Sequence, residues 1–574
     1  VLNIIVKAVI ERTVRNTMYR RMTMDRKIDV EIQNEIRTYP AGITLEEIVP
    51  DFQDDSSPQI VAAKVNNRIR ELTYPLKDNC KVEFIDLSAE DGIRIYVRSL
   101  TFLFIRACRE MIPDCRVSIE HSFAKGLYCE VHGSVNLTAR LVKKIEEKMR
   151  EIVEKDEPFE RLKVSMEEAM ELFKQMNFLD KIEILKYRPE KDLHLYRCGW
   201  MVDYLYGYMV PSTGYLKQFE LKFYLPGVII RHPVKEEPGR LPEYVDNPKL
   251  FRVFRESEKW CRLIHVENVA ELNSAIQSGR GGELIRLCEA NQENQIARIA
   301  EDISQKRDHI RLILIAGPSC SGKTTFAQRL RIQLMVNGLK PISISMDDYF
   351  IDREAVPLDE FGERDYESID AIDLELFNDQ MTRLIQGQEV ELPYFNFQTG
   401  KREYIGKKIH IDQDQPIIVE GIHGLNEKLT AMIPKENKYK IYISALTQLN
   451  VDDHNRIHTT DTRLIRRIVR DHQFRGSSIE ATLGMWPSVR RGEEKYIFPF
   501  QEEADVMLNS ALIYELAVLK PYILPLLEEI DKSHPYYTEV NRLKKFMKYF
   551  VELKPDEIPC NSILREFIGG SCFQ

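Results

Sequence analysis

The 574-residue sequence has no apolar run of the ~18 residues a membrane-crossing helix needs, so no membrane partner is expected. Cysteine is thin: ten are scattered along the chain and no C-x-x-C pair occurs, which excludes a dense disulfide framework and fits a reduced, cytoplasmic protein. A basic excess is missing as well. Lysine and arginine number 81 against 90 acids, net −9, so nucleic acid is not the default partner, although a local basic patch stays open. What is present is ordinary globular composition, 43% hydrophobic and 30% charged. At ~100–200 residues per domain, the length predicts three or four domains. One stretch is lopsided: Val1 to Met24 carries Lys7, Arg12, Arg15, Arg20 and Arg21 against Glu11 alone. That composition suits an organelle-targeting peptide or an N-terminal extension over residues 1–26; the extension is the reading adopted.

Residues 27–90 read as a small mixed module. "KIDVEI" alternates like a strand, and Thr44 with Glu47 forms a capping box at the start of "LEEI". "IVAAKVNNRIREL" gives two strands around an Asn-Asn turn, and "CKVEFID" adds another. Residues 91–235 form an α+β block in which "QFELKFYLPGVIIRHP" reads as strand. Proline and charge in "HPVKEEPGRLPEYVDNP" open a linker and helical segment, 236–307, broken at "SGRGG". From 308 to 525 short β-branched runs ("IRLILIAG", "KPISISM", "QPIIVEG", "KYKIYIS", "ADVMLN") alternate with helices, predicting a parallel sheet covered on both faces. A helical tail, 526–574, follows. The expected fold class is multidomain α/β.

The strongest motif is Gly317-Pro318-Ser319-Cys320-Ser321-Gly322-Lys323-Thr324, which fits G-x-x-x-x-G-K-[ST] between an apolar strand and a helix. Such a loop wraps phosphate oxygens with backbone N–H groups at a helix N-terminus. Gly317, Ser319, Ser321, Gly322, Lys323, Thr324 and Thr325 are therefore the candidate ATP contacts, with Lys323 at the β- and γ-phosphates and the Thr324 hydroxyl on Mg²⁺. The next strand ends at Asp347-Asp348. A carboxylate there can take the proton of an attacking hydroxyl, and Asp347 is the first candidate, though a loop acid can also cap a helix. "PIIVEG" ends at Glu420, a second metal-side candidate. Arg463, Arg466, Arg467 and Arg470 fall at i, i+3, i+4, i+7 and share one helical face; Leu464, Ile465, Ile468 and Val469 lie towards the other. Beside a phosphate site, such a face suits a lid that neutralises transferred charge.

Residues 308–525 resemble the uridine kinase and phosphoribulokinase group of P-loop kinases. The resemblance rests on "GPSCSGKTT", "SMDDYF", "DYESIDAIDLELF", "PYFNFQTGKR", "IIVEGIHGLN", "DTRLIRRIVRD" and "EEADVMLNS" in that order. It implies Asp347 as general base, Lys323 as a catalytic cation, Thr324 and Glu420 on the metal side, and Arg463, Arg466 and Arg467 as the lid. It also implies Glu367, Tyr394 and Arg402 as substrate contacts. The family run F-D-H-P-D-A is here Tyr366-Glu367-Ser368-Ile369-Asp370-Ala371, and Gly400 or its neighbour stands where a base-reading histidine is expected. The front half resembles threonyl-tRNA synthetase: a TGS-like β-grasp module over 27–90 and an editing-like domain over 91–235. "YRCGWMVDYLYG", with Cys198 and Asp203, matches a run that carries a metal-site cysteine, but the paired histidines are missing from "SLTFLFIRA". A lone cysteine cannot hold zinc, which needs three or four protein ligands.

These readings imply an ATP- and Mg²⁺-dependent kinase acting on a small nucleoside, with a sugar hydroxyl as the near alternative and a binding or regulatory front half. A nucleotide-switched RNA- or ribosome-associated regulator, with RNA contact through the TGS-like region, is the competing class. Residual hydrolysis of mischarged tRNA is a third, and a homo-oligomer is left open.

Overall fold

A computed structural model describes residues 26–573 apart from 361 and 413, so the proposed N-terminal extension lies outside the described residues save its last position. Strands β1 (Lys27–Ile32), β2 (Glu35–Pro40), β3 (Ile60–Val65), β4 (Arg68–Glu71) and β5 (Cys80–Asp86) form a mixed sheet in the order β2-β1-β5-β3-β4. Alternation in β1 buries Ile28, Val30 and Ile32 on one face. Helix α1 (Leu45–Ile48) begins with the capping box of Thr44 and Glu47. Asn66 and Asn67 turn β3 into β4 at φ 48° and 61°, a conformation asparagine tolerates.

The second unit packs α2 (Glu90–Met111) and α3 (Ala139–Glu154) against two antiparallel sheets. One has β6 (Arg116–Phe123), β7 (Gly126–His132), β11 (Glu220–Tyr224) and β12 (Gly227–Arg231) in the order β11-β12-β7-β6. The other has β8 (Glu160–Ser165), β9 (Asp192–Cys198) and β10 (Met201–Asp203), with α4 (Met166–Gln175) and α5 (Leu179–Leu185) between β8 and β9. The single strand expected over "QFELKFYLPGVIIRHP" is a hairpin, β11 and β12, turning at Leu225-Pro226, because proline offers the ladder no N–H. Helices α6 (Pro248–Leu263), α7 (Val269–Gln277) and α8 (Gly281–Gln305) follow.

The third unit is a parallel sheet in the order β14-β19-β13-β20-β23: β13 (Leu312–Ala316), β14 (Ile342–Ser345), β19 (Ile417–Glu420), β20 (Lys438–Ser444) and β23 (Val506–Asn509). Every residue of β13 and β20 is buried, as a sheet covered on both faces requires. Helix α9 (Lys323–Val336) leaves the phosphate loop and α10 (Leu374–Ile385) flanks β14. Short pairs β15 (Val390–Glu391) with β18 (Lys408–Ile409), β16 (Tyr394–Asn396) with β17 (Lys401–Glu403), and β21 (Asn450–Asp452) with β22 (Asn455–Arg456) decorate it. Helices α11 (Thr459–Arg475), α12 (Ile479–Tyr496), α13 (Glu515–Glu528), α14 (Tyr537–Met547) and α15 (Arg565–Ile568) complete the chain. One apolar cluster joins α7, α8, the sheet and the last helices, so the segment before the sheet and the tail after it share its core. Among the described residues no helix is long and apolar enough to cross a membrane.

Hairpin β21–β22 ties the third unit to the second. The Lys181 ammonium donates to Asp452 Oδ1 at 2.9 Å and lies 3.2 Å from Asp203, while His454 Nδ1 is 2.7 Å from Asp203 Oδ2. All four side chains are buried, and desolvated charges persist only when paired in this way.

Candidate active site

Parallel pairing puts the ends of three neighbouring strands together. Ser345 and Ile315 are both in register with Glu420, so Asp347, the phosphate loop and Glu420 emerge side by side. Gly322 starts α9 at φ +83°, and a Cβ there would stand 2.5 Å from Ile563 Cγ2; both facts demand glycine. The Lys323 ammonium donates to the carbonyls of Gly317 and Pro318 at 3.0 and 3.3 Å. The Thr324 hydroxyl donates to Glu420 Oε1 at 2.9 Å, and Thr325 Oγ1 donates to Glu566 Oε2 at 2.8 Å.

Several acids crowd this loop. Asp347 is exposed to solvent. The surrounding protein raises its pKa through desolvation; Lys323 opposes this and Asp348 adds to it. Glu420 is raised by burial too, against Lys323 and the Thr324 hydroxyl, with Asp347 and Glu566 pushing the same way as burial. Glu367 is pushed up to about 7, by burial first and then by Glu493, while Lys323 and Arg467 pull it down. Asp348 turns instead towards the β16 hairpin, where its Oδ1 accepts from the Phe395 N–H at 3.5 Å, and burial raises it as well.

From Asp461 to Val469 the arginine helix has no open face, while its last turn, His472 to Arg475, is exposed. Both sides of that stretch are buried, and Arg463 and Arg466 are 0% exposed. Arg466 pairs with Glu515 and donates to the carbonyls of Cys320 and Ser510 at 3.1 and 3.0 Å. Arg467 donates to Ser319 Oγ at 3.0 Å. Arg463 pairs with Glu493, whose other oxygen accepts the Ser319 N–H at 3.0 Å. A carboxylate of the chain thus holds one backbone donor of the phosphate loop.

The substrate candidates divide. Glu367 lies within the field of Lys323 and Arg467, and its side chain meets Gly492. Tyr394 is 44% exposed on β16. Arg402 is committed to Asp373, at 2.7 Å, and its N–H to Asp352 Oδ1. Gly400, at φ +70°, packs against the Arg353 guanidinium, where a Cβ would come within 2.8 Å of its Nε. Sequence reasoning missed Glu493, Glu515 and Glu566. They sit in unremarked helical stretches, and only their contacts with the loop and α11 reveal them.

Nucleotide and magnesium fit this loop on its own chemistry. Ser321 Oγ is buried without a partner, and Thr324 with Glu420 offers the oxygen donors magnesium prefers. Zinc does not fit at Cys198. Arg106 donates to Cys198 Sγ at 3.2 Å and pairs with Glu110 and Glu157, so a guanidinium stands beside the thiol, which burial pushes up to about 11 despite that cation. Asp203 is locked in the Lys181 network.

Residues 312–515 match the phosphoribulokinase / uridine kinase family. This kinase-family module is joined to a front half similar to threonine–tRNA ligases: the one from Desulforamulus reducens is 32% identical over 187 residues, 32% of this chain and 29% of the ligase. Threonine–tRNA ligase 2 of Bacillus subtilis is 26% identical over 200 residues, 34% of this chain and 31% of the ligase. The chain thus spans under a third of the length of these ligases. A putative fructose transport system kinase from Silicibacter sp. TM1040 superposes on 37% of this chain and 98% of its own, at 18% identity and TM-score 0.27.

Proposed function

We propose that the kinase-family module transfers the γ-phosphoryl group of ATP to a hydroxyl of a small nucleoside-type acceptor. The convergence of Asp347, Glu420 and Glu367 on Lys323 and the phosphate loop carries this reading. Asp347, solvent-accessible at the loop, accepts the proton of the acceptor hydroxyl as the new P–O bond forms. Lys323 and Arg467 neutralise negative charge next to the loop, and Arg466 holds the loop's shape through the Cys320 carbonyl. Magnesium held by Thr324 and Glu420 would screen the phosphates when bound. Glu367, with its raised pKa, offers a protonated carboxyl that can donate to an acceptor oxygen as well as accept from one. That dual capacity suits a polyol, whether a ribose or another sugar, and Tyr394 offers an exposed ring to a base.

The test is ADP formation from ATP and Mg²⁺ across a panel of nucleosides and sugar phosphates, with Asp347→Asn as the control. Acceptor-dependent turnover lost in the variant supports the kinase and names its substrate. ADP release indifferent to every acceptor would favour a nucleotide switch instead.

A further inference from the structure

A cavity of about 610 Å³, lined by no residue of the phosphate loop, opens where α2, α5, α7 and hairpin β21–β22 meet. Its size suits a small-molecule site, usually ~300–1,000 Å³. Arg109, in the last turn of α2, stacks its guanidinium on Phe178 at 4.8 Å from the ring centroid. Its Nε and Nη1 are buried and have no hydrogen-bond acceptor. Asp203, the acid whose field it feels, is already shared by Lys181 and His454. Arg109 is half-buried, and leaving two of its guanidinium nitrogens shielded from water without an acceptor is costly; a ligand anion in the cavity would offset that.

The rest of the wall decides which anion. Asp114, Asp180, Glu183, Glu271 and Asp453 line the cavity against only Arg109 and Arg116. Arg116 is taken by Asp453 through two bonds of 2.6 Å. Asp180 Oδ2 accepts the Asp453 N–H at 2.7 Å, which brings those two acids together at the hairpin tip. Such a wall repels phosphates and nucleic acid. It accommodates a single carboxylate that brings its own compensating cation.

We propose that this cavity binds a small zwitterion of the α-amino-acid type, its carboxylate on Arg109 and its ammonium facing Asp180. The side chain of the ligand would lie along Phe178 and Tyr187. Asn177 and Asn268 supply amides at the same wall.

The experiment is calorimetric titration of the full chain, without ATP or acceptor, against the standard amino acids and inorganic phosphate. At least one amino acid should bind with Kd near or below ~1 mM. Its N-acetyl and carboxamide derivatives should bind at least about tenfold more weakly, because each deletes one charge. Arg109→Gln and Asp180→Asn should each weaken it by about tenfold or more while ATP binding is unchanged. No binding by any amino acid at about 10 mM, undiminished binding of both derivatives, or phosphate binding in preference would overturn the proposal. The derivative comparison uses the unaltered protein, so it stands even if a variant misfolds. Because no nucleotide is present, the outcome is independent of the kinase reading.

Discussion

The acids around the phosphate loop differ in how they titrate. Asp347 must be ionised to accept a proton, and its surroundings raise its pKa. The acidic limb of kcat/KM should therefore lie above the ordinary aspartate value of ~3.9, and Asp347→Asn should cut turnover by about 10²–10⁴ with ATP binding retained. A pH–rate profile and a nucleotide titration check both. Glu367 bears on stability. Its pKa rises from 4.5 to about 7 on folding, so the folded chain holds an extra proton between those values. Its contribution is fully present below 4.5 and is lost as pH rises through about 7. Glu367→Gln stays neutral, so its melting temperature relative to the unaltered protein should climb across that window. A flat difference would refute the assignment. The loop's motif residues were legible because they are consecutive and their backbone conformation is local. The upward shift of the acids' pKa was not, since burial is a property of the surrounding fold.

Among the elements, α11 shows how far spacing alone reaches. The i, i+3, i+4, i+7 pattern placed four arginines on one face, and two of them do touch the loop. Spacing could not reveal that this face is buried, because the acids that neutralise it, Glu493 and Glu515, lie 30 and 49 residues away. A buried pair contributes little net stability when intact, yet removing one partner strands the other charge. Arg466→Ala should cost about 3–5 kcal/mol in urea unfolding. Arg466→Lys should recover little, since one ammonium cannot span Glu515 and two carbonyls in the guanidinium's fixed fork. An exposed lid arginine would show almost no stability loss on the same substitution.

Over the whole molecule, the front half and the kinase-family module share charge as well as apolar surface. Lys181 of the front half sits between Asp203 of its own unit and Asp452 of the hairpin that leads into α11. Asp461, in the first turn of α11, is held by two bonds from Arg542 of α14, whose carbonyl accepts from Tyr206 of the front half. Lys181→Met should leave two buried carboxylates facing each other and destabilise by about 3–5 kcal/mol. In calorimetry the single transition expected of such coupled units should broaden or split in the variant. A sharp, unshifted transition would mean that the halves unfold independently of this contact.

Read alone, the sequence determined the phosphate loop, the strand-end acids, the parallel α/β texture, the Thr44 capping box and the Asn-Asn turn. Each is specified by residues a few positions apart, through backbone conformation and hydrophobic periodicity. What closes around them follows from long-range packing: Glu493 on the loop's Ser319 N–H, Glu566 on Thr325, Arg106 beside Cys198, and Asp203 joined to His454. These are pairings of buried charged and polar groups across 92 to 251 residues. Such groups take whichever partner the packed core brings within reach, and nothing in local spacing records that choice.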